Sequence, residues 1–160
     1  LLDGGLQAWQ AAGGAMTALP PNVHAVAFRV NEGVGPVTAD DVLERLETPG
    51  MRLVDARSPD RYRGESEAID PVGGHIPGAV NRFFRDNLQA DGRCKPAAEL
   101  RTEWLAVLVG ALPEQVIHQC GSGVSACHNM LAMEIAGLPG SRLYAGSWSE
   151  WCADPGRPVA

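Results

Sequence analysis

Positive charge is in short supply: 13 lysines and arginines stand against 19 aspartates and glutamates, for a net charge of −6. A nucleic-acid partner would need a basic face, so none is expected, and any anionic ligand must be held by local donors. Long apolar runs are missing too. Nothing approaches the roughly 18 consecutive apolar residues of a membrane span, so no membrane contact is expected, and no signal segment is visible at the N-terminus. Four cysteines are present, Cys94, Cys120, Cys127 and Cys152, yet they form no CxxC pair and have no histidine at zinc-ligand spacing. That absence argues against a metal site.

What is there suffices for one good core. With 45% apolar and 20% charged residues, the 160-residue chain reads as a single globular domain. Its most informative segment is Cys120-Gly121-Ser122-Gly123-Val124-Ser125, which lies between an apolar stretch at residues 116–119 and a helical pattern at residues 126–137. Strand, tight loop headed by cysteine, then helix is an arrangement that makes a reactive thiolate. Gly121 and Gly123 let the backbone curl so that successive N–H groups face the sulfur, and the helix adds the positive end of its dipole. Such a cradle favours the thiolate, the nucleophilic form, which must stay unpaired to act. A reducing compartment, the cytoplasm, is therefore expected.

The rest of the chain alternates short apolar strands with helices. Strands are expected at residues 25–30, 52–55, 115–119 and 142–144, and helices from Thr38 to residue 47, from Pro59, and from Pro96 to about residue 109. Residues 64–78 are too rich in glycine and proline for a regular element. This alternation predicts an α/β fold, a parallel sheet with helices on both faces. Ligands of such sheets sit at the carboxyl ends of the strands, where Asp55 and Cys120 both fall. Cys127 shares helical spacing with Met130, Leu131, Ile135 and Leu138 and is expected in the core. His118 is expected to pack, His75 to make a structural hydrogen bond in its turn, and Trp148 and Trp151 to seat a closing helix.

One repeat crosses the chain. The segment Leu2-Asp3-Gly4-Gly5-Leu6-Gln7-Ala8-Trp9, ending at Gly14, echoes Tyr144-Ala145-Gly146-Ser147-Trp148-Ser149-Glu150-Trp151, ending at Gly156, with the glycines and tryptophans at a single offset. A domain-sized internal duplication is implied. Residues 18–24, proline-rich and aperiodic, read as a linker.

Taken together, Asp55-Ala56-Arg57, Gly74-His75-Ile76-Pro77-Gly78-Ala79, the Cys120 loop and Gly146-Ser147-Trp148-Ser149-Glu150-Trp151 resemble the rhodanese superfamily, specifically the catalytic C-terminal half of tandem-domain sulfurtransferases. The resemblance runs from Val37 to Trp151. It implies that residues 1–17 are the C-terminal tail of a missing first rhodanese domain and residues 25–160 the catalytic rhodanese domain. It also implies a ping-pong sulfur transfer through a Cys120 persulfide, with no cofactor, because the cysteine sulfur itself carries the transferred group. Thiosulfate-using members carry two cationic side chains directly after the cysteine; Gly121 and Ser122 stand there here, as in the 3-mercaptopyruvate version. The resemblance then assigns Ser122 to proton transfer to the departing enolate and Arg61 to the donor carboxylate. The loop from Gly121 through Gly123 and Val124 to Ser125 is left to bind the transferred group. The donor is thus expected to be a small anion, 3-mercaptopyruvate ahead of thiosulfate, and the acceptor a thiol, cyanide or thioredoxin.

One position departs from the family pattern. Asp70 stands where a second carboxylate-binding arginine is expected, and Arg63 is the nearby cation that could take its place. Two other functions are weighed against the transferase. A phosphatase with a similar cradle needs an arginine at the position Ala126 takes, and a non-catalytic rhodanese-like module typically lacks the cysteine that this chain keeps.

Overall fold

A computed structural model describes residues 1–22, 24–27 and 35–160. Ten elements matter here: α1 (Gly5–Ala11), α2 (Ala39–Arg45), β1 (Arg52–Asp55), α3 (Pro59–Tyr62), β2 (Val80–Asn81), α4 (Ala97–Leu108), β3 (Val116–Gln119), α5 (Val124–Ile135), β4 (Arg142–Leu143) and α6 (Ser147–Trp151). The four strands form one wholly parallel sheet in the order β2-β1-β3-β4. Val37 adds a parallel bridge to Tyr144 at the β4 edge. Of the strand expected at residues 25–30, residues 25–27 carry no regular element and the remainder lies outside the described residues.

Local chemistry explains where the helices begin. Thr38 and Asp41 form a reciprocal capping box: the Asp41 amide donates to Thr38 Oγ1 at 3.1 Å, and the Asp41 carboxylate accepts from the Thr38 amide at 2.8 Å. The proline at position 96 precedes α4, and the helix stops where Val109 turns left-handed, φ 50°. In α1 the backbone enters through two left-handed glycines, Gly4 at φ 79° and Gly5 at φ 62°.

Both sheet faces are covered, so successive strand residues are buried on opposite sides. Leu53 and Ile117 pack against Val42 of α2 and Trp148 and Trp151 of α6. Val54 and Val116 pack against Leu100 and Trp104 of α4 and Ala132 and Met133 of α5. The α/β reading of the sequence holds, and the two tryptophans seat α6 as expected. His118 packs too, its ring edge-on to Trp104 and its Nε2 3.1 Å from Met133 Sδ.

One core assignment is corrected. Cys127 is exposed, because α5 turns Ala126, Asn129, Ala132 and Met133 inward; of the residues that share its spacing, Leu138 is buried, Met130 and Leu131 are half-buried and Ile135 is exposed. Both faces of α5 carry apolar residues. The outer stripe mimics the inner one in sequence, and packing against α4 and the sheet decides between them.

Candidate active site

The site begins at the carboxyl ends of β1 and β3, which lie side by side, with Asp55 opposite Gln119. The chain leaving β3 enters the cradle at Cys120, itself only 2% exposed. Gly123 sits at φ 81°, and a Cβ there would lie 2.6 Å from the Ala145 carbonyl oxygen, so the loop closes only with glycine. At Gly121 a side chain would instead press to 3.3 Å from Arg61 Nη1.

The loop is held from behind by α6. Trp148 donates its amide to the Cys120 carbonyl at 3.0 Å, and Ser149 donates to the Gly121 carbonyl at 2.9 Å. A planar trans peptide points its N–H opposite to its C=O. The Gly121 and Ser122 amides are therefore turned away from α6, toward the open side of the loop. The Cys120 amide donates to Ser147 Oγ at 3.0 Å, and that hydroxyl donates to the Tyr144 carbonyl at 2.9 Å. Ser147 is fully buried and left-handed at φ 54°. A side-chain-bearing residue pays about 1–2 kcal/mol for that conformation.

A second group of charges braces the other wall. Asp55 and Arg57 form a fully buried ion pair at 2.7 Å, and Arg57 also donates to the Gly74 carbonyl at 2.8 Å and lies over the Trp148 ring at 4.8 Å. His75 in the same turn puts Nδ1 2.9 Å from the Tyr62 carbonyl and stacks on the Tyr62 ring. Arg61 reaches Glu67 at 2.8 Å and Asp70 at 3.2 Å through Nη2, and its Nε also meets Glu67. Burial pushes the Glu67 carboxyl upward, but hydrogen bonds from Arg61 and from the Ile69 and Asp70 amides outweigh it and hold the group below its usual range.

These walls enclose an open pocket of about 360 Å³. A volume near the lower end of ligand sites suits a small substrate. Of the residues expected from sequence, Cys120, Gly121, Ser122, Val124, Ser125 and Arg61 all line it. Gly123 stands behind, against Ala145. Arg63 does not reach the pocket: it is half-exposed and paired with Glu65 at 2.7 Å. Among the described residues, no group of three or more His, Cys, Asp or Glu side chains is placed to hold a metal ion.

A model of the rhodanese-like domain matches residues 38–154. The chain belongs to the rhodanese-like family. Over its whole length it is 48% identical to a probable 3-mercaptopyruvate sulfurtransferase of Pseudomonas aeruginosa, covering 57% of that protein. Across 94% of the chain it is 37% identical to thiosulfate sulfurtransferase of Mus musculus, covering 52% of it. Identity to the 3-mercaptopyruvate sulfurtransferase of Homo sapiens is 35%, with the same two coverages. The chain thus spans about half the length of the curated relatives it matches. The wild-type structure of EanB superposes with a TM-score of 0.83 at 25% identity, covering 99% of this chain and 39% of that one.

Within this rhodanese domain, several contributors to the site carry no signal in the sequence. Ser58, Phe83, and Phe84 and Arg85 within a short 3₁₀ turn at Phe84–Asn87, form part of the pocket wall. Nothing periodic marks the two phenylalanines and Arg85, because a two-residue strand and one irregular turn carry them there. Ser147 was hidden inside a motif read only for its tryptophans. Its left-handed backbone is invisible without coordinates.

Proposed function

We propose that this rhodanese domain is the catalytic half of a tandem sulfurtransferase that takes sulfur from 3-mercaptopyruvate onto Cys120 and passes it to a thiol or cyanide. The observation that carries this reading is the pocket floor: a buried cysteine heads a loop in which two peptide N–H groups are turned outward and no cation follows the sulfur. The short coverage of the relatives, together with the echo between residues 1–14 and 144–156, favours a first domain that completes the cleft. A thiolate carrier also suits a reducing compartment such as the cytoplasm.

The transfer balances as two displacements. The Cys120 thiolate attacks the donor thiol sulfur; an S–S bond forms as the donor C–S bond breaks, and the electron pair leaves on the enolate of pyruvate. Ser122, at the pocket surface, passes a proton to the enolate carbon and is replenished from water. The donor carbon is reduced and Cys120 is oxidised to the persulfide. Outward-turned amides of the loop stabilise the anionic sulfur in both states. An acceptor thiolate or cyanide then attacks the outer sulfur and returns the Cys120 thiolate. Arg61, clamped through Nε and Nη2, keeps Nη1 toward Gly121 and so walls the donor site beside the sulfur.

The test is the mass of the protein after incubation with donor. A gain of about 32 Da is expected with 3-mercaptopyruvate, lost in Cys120→Ser and removed by cyanide, as a persulfide requires. A larger gain with thiosulfate would move the donor to that anion. No gain with either donor sinks the transferase reading.

A further inference from the structure

Three guanidinium groups border the Cys120 pocket, and they are not equivalent. Arg57 has a side chain only 1% exposed and is consumed by Asp55, Glu67 and the Gly74 carbonyl. Arg61 is held by Glu67 and Asp70, both almost wholly buried. Around these two arginines stand three carboxylates, Asp55, Glu67 and Asp70, so the wall they form carries no net positive charge. An incoming anion gains little from a cation already neutralised at hydrogen-bond distance. Arg85 differs. It is exposed at the rim of the same pocket, its guanidinium 5.8 Å from the Phe84 ring centroid, and among the described residues it makes no ion pair or side-chain hydrogen bond.

We infer that Arg85 is the residue that makes this pocket select anions, receiving the carboxylate of a small thiol-bearing acid while Arg61 serves as a fixed wall. The assignment rests on the sulfurtransferase reading for the identity of the donor, but not for the anion site itself. It also accounts for Asp70: with a free cation across the pocket, a carboxylate in the place of a second arginine does not leave the donor without a counter-ion. Arg85 sits on an irregular turn rather than beside Arg61, so the donor lies across the mouth of the cradle, between Arg85 and the sulfur.

The experiment compares two alkylating agents of nearly equal size on the full-length protein, iodoacetate and iodoacetamide, following Cys120 by peptide mapping. Arg85→Gln is expected to lower the iodoacetate rate about tenfold, the weight of one charge-assisted contact, and to leave the iodoacetamide rate unchanged. Arg85→Lys should retain most of the preference for the anion, and salt should erode it in the parent but not in Arg85→Gln. A distorted loop would slow both agents, so the ratio separates charge from structure. The same variant should raise the KM for 3-mercaptopyruvate about tenfold with kcat within about twofold. An unchanged ratio in Arg85→Gln overturns the assignment. If the ratio falls while neither donor leaves sulfur on Cys120, the anion site stands and the transferase reading falls.

Discussion

A single hydroxyl ties the backbone of Cys120 to the rest of the fold. Ser147 Oγ takes the Cys120 amide and gives its proton to the Tyr144 carbonyl, in a spot with no access to water. Removing it leaves two buried backbone groups unpaired, at about 1–3 kcal/mol. Ser147→Ala should therefore lose about that much stability in urea unfolding and transfer sulfur slowly. Ser147→Gly relieves the left-handed strain and should recover part of the stability, yet stay slow, because the Cys120 amide is still without its acceptor. Transfer at the parental rate by Ser147→Gly would remove Ser147 from the site. At this scale the sequence was half legible. Cys120 and its glycines announce themselves, since few other chemistries need that run. Arg85 does not: it is one of 13 cations, and only the path of the chain brings it to the pocket. Asp70 was recognised as a departure, but its embrace of Arg61 depends on how residues 64–78 fold back, which no local propensity encodes.

Among the elements, α6 has an influence larger than its five residues, because its first amides orient the peptides that face the pocket. The cradle also touches the turn that leads into α6 through Gly123, whose missing Cβ leaves room for the Ala145 carbonyl. Gly123→Ala should separate the two. We expect persulfide formation to fall at least tenfold, with a stability loss of about 1–3 kcal/mol for the forced left-handed alanine and displaced carbonyl, measured by donor-dependent mass gain and by urea unfolding. A variant with parental persulfide yield would show that the cradle tolerates the gap. Elements with strong local signals are legible in the sequence: the start of α2 through its Thr38 cap, though it ends two residues sooner than expected, and β1 and β3 through their apolar runs. The two-residue β2 is not, since it exists only as a partner for β1. The reading of α5 failed on its facing, not on its existence, for the reason that both of its sides are apolar.

Across the whole molecule, the parallel sheet and its two covered faces were readable from alternation alone, while the balance of charge inside them was not. That balance sets a dependence on acid. Burial against Trp104 and Met133 pushes the His118 imidazole down to about 3. The unfolded chain takes up that proton near pH 6.5, so unfolding binds a proton between about 6.5 and 3 and stability falls as pH falls through that window. The slope contributed by His118 approaches about 1.4 kcal/mol per pH unit. Urea unfolding between pH 5 and 6.5, above the carboxylate range, should show it, and His118→Gln should flatten it. An equally steep slope in His118→Gln would assign the effect elsewhere.

The left-handed entry into the last helix has one more consequence. At the shared offset of the two echoing segments, Ser147 falls on Gly5, and the two backbones carry nearly the same angle, φ 54° and 62°. One turn has the residue that adopts this shape freely; the other bears a hydroxyl at the same place. The molecule thus contains its own control, a plain turn to set against the one whose hydroxyl holds the Cys120 amide.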